Sequence, residues 1–111
     1  MVIFILQVKV TPQKRADAVS IIKSLIGPTE AKSDCHSCKL YSHIDNDDVL
    51  ILIEQWQSQE SLEDHICSGG FRKVLAVMDL ASRQPEITFH KVSSTEGMEL
   101  VERLLSEPET I

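Results

Sequence analysis

Two stretches of this chain are apolar on both of the faces a strand presents. Between Val2 and Val10, the residues Val2, Phe4, Leu6, Val8 and Val10 share one face, while Ile3 and Ile5 lie on the other with Gln7 and Lys9. Between Val49 and Gln57, Val49, Ile51 and Ile53 face one way and Leu50, Leu52 and Trp56 the other. Side chains alternate along a strand, so two such segments need cover on both sides. That requirement narrows the fold and the assembly together.

The rest of the chain supplies cover for one side. Thr11-Pro12 opens an amphipathic helix predicted over Pro12 to Ile26, with Val19, Ile22 and Ile26 on one stripe and Gly27-Pro28 as its stop. Lys39 to Ile44 alternates as a half-buried strand, Asp45-Asn46-Asp47-Asp48 reads as a turn, and the strand after it completes a hairpin. Ser58 caps a short helix through Ile66. Gly69-Gly70 interrupts, and Phe71, Val74, Leu75 and Met78 give a further helical stripe to about Ala81. Pro85 to Val92 is a fourth strand. Met98, Val101 and Leu105 predict a terminal helix at about 95–105.

This order is a doubled split β-α-β unit, the ferredoxin-like α+β arrangement with a four-stranded antiparallel sheet. A chain of 111 residues supports one domain, expected over 1–106 with its core in 2–92 and a loose tail at 107–111. The main helices of this arrangement cover one face of the sheet. Burial is worth roughly 25 cal/mol per Å² of apolar surface, so the bare second face predicts a homodimer joined sheet to sheet. The terminal helix, acidic from Glu96 to Glu109 on its solvated side, can pack its apolar stripe over the partner.

A net charge of −6, from 11 basic and 17 acidic residues, argues against nucleic acid or an anionic membrane as partner. No apolar run reaches the ~18 residues of a spanning helix, and no basic segment precedes the apolar opening. Three cysteines are too few for a secreted disulfide scaffold, so the chain reads as cytoplasmic.

The sequence resembles the antibiotic biosynthesis monooxygenase family. The resemblance rests on Val8-Lys-Val-Thr-Pro12, Cys38-Lys-Leu-Tyr41, Glu54-Gln-Trp56-Gln-Ser58 running into Leu62-x-x-His65, then Ser68, Phe71 and Pro85-Glu86, across residues 2 to 92. It implies a dimeric α+β barrel with a pocket in each subunit between sheet and helices. Some members oxidise polycyclic phenols or quinols with dioxygen and neither metal nor flavin. Others degrade haem, and one branch isomerises a phosphorylated sugar derivative. Trp56 matches the strand-end tryptophan of the oxygenases, but the Asn and Tyr that accompany it there are Leu52 and Leu62 here. The haem branch's axial histidine would fall near Val74 or Leu75, and its Asn near Leu6, so haem degradation is not expected.

His65 lies near the inward stripe of its helix and titrates close to neutrality, so it is the candidate catalytic base. The plainer reading is a helix histidine bonded to backbone or solvent. Trp56, Phe71 and Tyr41 are candidate substrate-binding residues, with core packing as the rival role for the first two. Gln7, a polar break in an apolar strand, is assigned to the dimer interface; His43 and His90 are read as solvated. Cys35-His-Ser-Cys38 suggests a redox pair or metal donors. No second Cys/His pair stands at motif spacing, so two small side chains at a strand entry is the preferred reading.

The leading expectation is a cofactor-independent monooxygenase for a quinol or other small phenolic compound. Two alternatives stay open: an isomerase of a small phosphorylated metabolite, needing a cation such as Arg72 or Lys73 at its pocket, and a non-catalytic dimeric ligand-binding or stress-associated module.

Overall fold

The computed structural model describes residues 1–106; the tail expected at 107–111 lies outside them. The elements run β1 (Val2–Lys9), α1 (Pro12–Glu30), β2 (Cys35–His43), β3 (Asn46–Trp56), α2 (Gln59–Cys67), a 3-10 turn (Gly69–Phe71), α3 (Arg72–Asp79), β4 (Glu86–Lys91) and α4 (Met98–Ser106). The strands form one antiparallel sheet in the order β2-β3-β1-β4. This is the ferredoxin-like α+β fold, as the order of elements predicts.

The alternation holds in the two central strands. Val2, Phe4, Leu6, Val8 and Val10 are buried, and Leu50, Leu52, Glu54 and Trp56 join them on the same face. Ala18, Ile22 and Leu25 of α1, Leu62 of α2, and Val74 and Val77 of α3 close over that face to make the core. On the opposite face Ile3, Ile5, Ile51 and Ile53 are only half-buried, by their neighbours in the sheet, with Ile5 directly opposite Ile53. Gln7 stands on this open face between Ile51 and Glu86.

The main departures from expectation are in α1, β2 and the hairpin turn; α4 also starts later, at Met98 rather than about 95, and α3 ends at Asp79 rather than about Ala81. α1 does not stop at Gly27-Pro28 but continues to Glu30, with Pro28 inside it. Proline lacks an N–H, so the carbonyl four residues back, that of Ser24, loses its helical partner. The Lys73 ammonium approaches that carbonyl at 3.5 Å from α3. The last turn is anchored instead by Glu30, which pairs with Lys39 at 3.0 Å and accepts from the Cys38 N–H.

β2 starts at Cys35 rather than Lys39, because a bulge between Cys35 and Ser37 lets the segment before the alternation join the sheet. The hairpin turn is Ile44-Asp45, not Asp45 to Asp48, since Asn46 already pairs with His43. There the Asp45 N–H donates to His43 Nδ1, and Asn46 Oδ1 accepts from the Asp48 N–H.

β4 is exposed along its whole length. Phe89 stacks on Phe4 with ring centroids 5.2 Å apart, yet remains half-exposed. α4 buries none of its residues within the chain, and Met98, Val101, Leu104 and Leu105 stand exposed.

Candidate functional site

The inward row of β3 carries a carboxylate, Glu54, between Leu52 and Trp56. Its side chain is fully buried, and Oε1 accepts a 2.9 Å hydrogen bond from the Trp56 indole N–H. Burial raises the Glu54 pKa above the usual carboxylate range, against the pull of that indole N–H and of Lys32.

Ser58 begins α2 with a reciprocal cap: its hydroxyl accepts from the Ser61 N–H, and Ser61 Oγ accepts from the Ser58 N–H. This start aims position 65 at the sheet. His65 is 3% exposed, its ring 4.5 Å from that of Trp56 and 6.0 Å, edge-on, from that of Phe71. Phe71 in turn meets Phe4 at 5.9 Å. The structure thus brings together His65, Trp56 and Phe71, three of the residues singled out from sequence.

Lys32, just past the end of α1, completes the cluster. Its backbone is held from both sides, its N–H on the Thr29 carbonyl and its carbonyl accepting from the Cys35 N–H. Its ammonium lies 2.9 Å from His65 Nδ1 and 3.2 Å from Ser68 Oγ. An ammonium has hydrogens but no lone pair, so Nδ1 must accept and the ring proton must sit on Nε2. Nε2 faces Glu54 Oε1 at 3.5 Å without completing a hydrogen bond. Among the described residues, His65 Nε2 and Glu54 Oε2 are buried without a hydrogen-bond partner. Burial, then Lys32, lowers the His65 pKa to about 4, so the imidazole is neutral at pH 7.

Two cavities flank this group. One, of about 280 Å³, lies between the end of α1 and the α2–α3 junction, lined by Leu25, Pro28, Thr29, Lys32, His65, Ser68, Gly70 and Lys73. The other, of about 150 Å³, is bounded by Lys32, Ser33, Asp34, Trp56, Ser61, Asp64 and His65. His65 and Lys32 line both. The arrangement can accept a proton at Nδ1, provided Lys32 shifts, and can stabilise a negative charge beside it.

Tyr41 stands apart from this cluster. It pairs with Ile51 on the open face, half-exposed, and borders a shallow cleft with Arg15 and Lys23. Cys35 and Cys38 both face inward, opposite Trp56 and Glu54, because the bulge adds a residue between them. Both are free thiols, and burial raises their pKa values, that of Cys35 to about 11. Such thiols are protonated at neutral pH and poor nucleophiles. Among the described residues no group of three or more His, Cys, Asp or Glu side chains is placed to hold a metal ion. His90 is exposed on β4 beside Thr88. Of the two cations named for a phosphate, Lys73 reaches the larger cavity and Arg72 does not line it.

The family model for antibiotic biosynthesis monooxygenases matches residues 1–77, which include β1 through α2 and nearly all of α3. The chain belongs to the antibiotic biosynthesis monooxygenase family. Among solved structures, Rv0793 from Mycobacterium tuberculosis superposes with a TM-score of 0.77 at 25% identity, covering 86% of this chain and 98% of its own. A conserved protein from Methanosarcina mazei gives 0.75 at 24% identity, with 81% and 90% covered. An uncharacterised Synechocystis protein is 23% identical over 92 residues, 82% of this chain. The chain spans 63% of the length of that curated relative. No helix among the described residues is long and apolar enough to cross a membrane.

Proposed function

We propose that this family member is a cofactor-independent monooxygenase acting on a quinol or other small phenolic compound. The observation that carries the reading is a neutral, buried His65 that lines a cavity, its Nδ1 meeting the ammonium of Lys32 on the same lining and its imidazole tilted against the Trp56 ring. A phenol in the cavity transfers its proton to Nδ1, and the Lys32 ammonium stabilises the phenolate. The electron-rich ring reduces dioxygen, and the resulting carbon–oxygen bond replaces a C–H at an unsubstituted ring carbon ortho or para to the phenolate oxygen. Loss of water from that peroxide leaves a quinone, with one atom of O2 in the product and one in the water. Leu25, Pro28 and Gly70 supply an apolar wall that limits water at the reacting ring.

The working unit is a homodimer joined through the open sheet face, where Ile3, Ile5, Ile51 and Ile53 are half-buried in one chain. The exposed stripe of α4 packs over the partner in the same assembly.

Oxygen uptake with a panel of quinols and phenols, both uncharged and bearing a carboxylate or phosphate, tests the reaction. Turnover should fall by about 10²- to 10⁴-fold in His65→Ala, the usual range for a lost general base. No uptake by the folded protein across the panel would reject it. One observation favours the isomerase reading instead: Lys32 and Lys73 share the larger cavity, as a phosphate-bearing substrate requires.

A further inference from the structure

The larger cavity has an unusual charge for this chain. The protein carries 17 acidic and 11 basic residues, yet this cavity is lined by two lysines, Lys32 and Lys73, and, among the described residues, by no carboxylate. Asp34 and Asp64 line the smaller cavity, on the other side of Lys32 and His65, and Glu54 is buried against His65 Nε2.

Among the described residues neither lysine has a carboxylate partner. Lys32 donates to a neutral imidazole and a hydroxyl, and Lys73 only approaches the carbonyl released by Pro28. Both would gain by exchanging a neutral acceptor for an anion, because the attraction of opposite charges then adds to the hydrogen bond.

We propose that the cavity takes a small ligand bearing a carboxylate or phosphate, and that binding this anion draws the Lys32 ammonium off His65 Nδ1. Lys32 is therefore a specificity-determining and positioning residue. In the empty site it occupies the lone pair through which His65 would act as a base; with the anion bound, that lone pair faces the ligand. A neutral ligand offers Lys32 nothing comparable and leaves His65 occupied. This inference rests on the proposed role of His65 and adds the charge of the substrate to it. Lys32 is exposed, so its replacement leaves the core intact.

The test is isothermal titration of the full chain with 4-hydroxybenzoate, 4-hydroxyphenyl phosphate and uncharged hydroquinone, in parallel with nitrogen-15 spectra of the histidine side chains. The anions should bind at least about tenfold more tightly than hydroquinone, and Lys32→Gln should abolish that preference. In the unsubstituted protein the His65 Nδ1 resonance should move on anion binding as its donor is withdrawn. A preference for carboxylate or for phosphate would tell the two ligand sources apart. Equal binding of all three compounds, no binding of either anion at millimolar concentration, a preference that survives in Lys32→Gln, or an Nδ1 resonance unmoved by bound anion would each overturn the proposal. Oxygen uptake with uncharged quinols tests the oxygenase reading separately and can succeed when this one fails.

Discussion

Glu54 and Trp56 sit two residues apart on the same face of β3, and the indole N–H of one donates to the buried carboxylate of the other at 2.9 Å. A strand places alternate residues side by side, so this bond needs no contribution from any other element. It fixes the indole against which the His65 ring lies. Removing the acceptor leaves a buried donor unpaired, which costs about 1–3 kcal/mol. Glu54→Ala should lower unfolding free energy by at least that amount. Glu54→Gln, which keeps a carbonyl acceptor, should lose less; denaturant titration followed by Trp56 fluorescence measures both.

Acid should weaken the fold through His65. The ordinary pKa is 6.5 and the folded value about 4, so between these limits the unfolded chain binds the extra proton. Stability therefore falls as pH drops from 6.5 towards 4, by on the order of 3 kcal/mol at the lower limit. Glu54 opposes this, because its raised pKa lets the folded state take up a proton first above pH 4.5. Urea titrations across this range should show the acid slope steepen in Glu54→Gln and shrink in His65→Gln.

Pro28 interrupts the hydrogen-bond ladder of α1. Pro28→Ala restores an N–H for the Ser24 carbonyl, offset by a more flexible unfolded chain. The net gain should be about 1–2 kcal/mol, seen as a higher Tm. The same substitution should free Lys73 from its 3.5 Å approach to that carbonyl.

The open sheet face predicts the oligomeric state. Ile5 faces Ile53 across β1 and β3, away from the core, so a charge there leaves the subunit's own packing alone. Ile53→Glu should weaken a sheet-to-sheet dimer by more than about a hundredfold, since an unpaired charge buried at an interface costs several kcal/mol. Sedimentation velocity reads this, with circular dichroism checking that the monomer remains folded. An unsubstituted chain that sediments as a monomer at micromolar concentration would reject the dimer.

The fold was legible wherever burial follows a simple period. The two-faced alternation of Val2–Val10 and Val49–Trp56, and the cap at Ser58, translate directly into β1, β3 and α2. The errors fall where tertiary contacts override a local signal. Gly27-Pro28 does end most helices, but here Glu30 ties the following turn to Lys39 and Cys38. Cys35 and Cys38, three apart, would face opposite sides of a regular strand; only the bulge turns both inward.

The site was half legible. His65 and Trp56 stand out because polar-tipped rings on inward stripes are conspicuous. Glu54 shares the inward parity of Leu52 and Trp56, a signal that could have been read as a buried carboxylate. Lys32 carried no such mark. It lies in a turn, and its 33-residue separation from His65 is closed only by packing α1 beside α2 on the sheet.

β4 forms one rim of the sheet, and its six residues are exposed, with no strand beyond them among the described residues. An unpaired rim is a template on which a foreign chain can add by backbone hydrogen bonds, and Ile87 and Phe89 make this one sticky as well. Its brevity and the opposite charges of Glu86 and Lys91 at its two ends work against such growth. Charges at the ends of a short, sticky strand are the usual gatekeepers against growth into filaments.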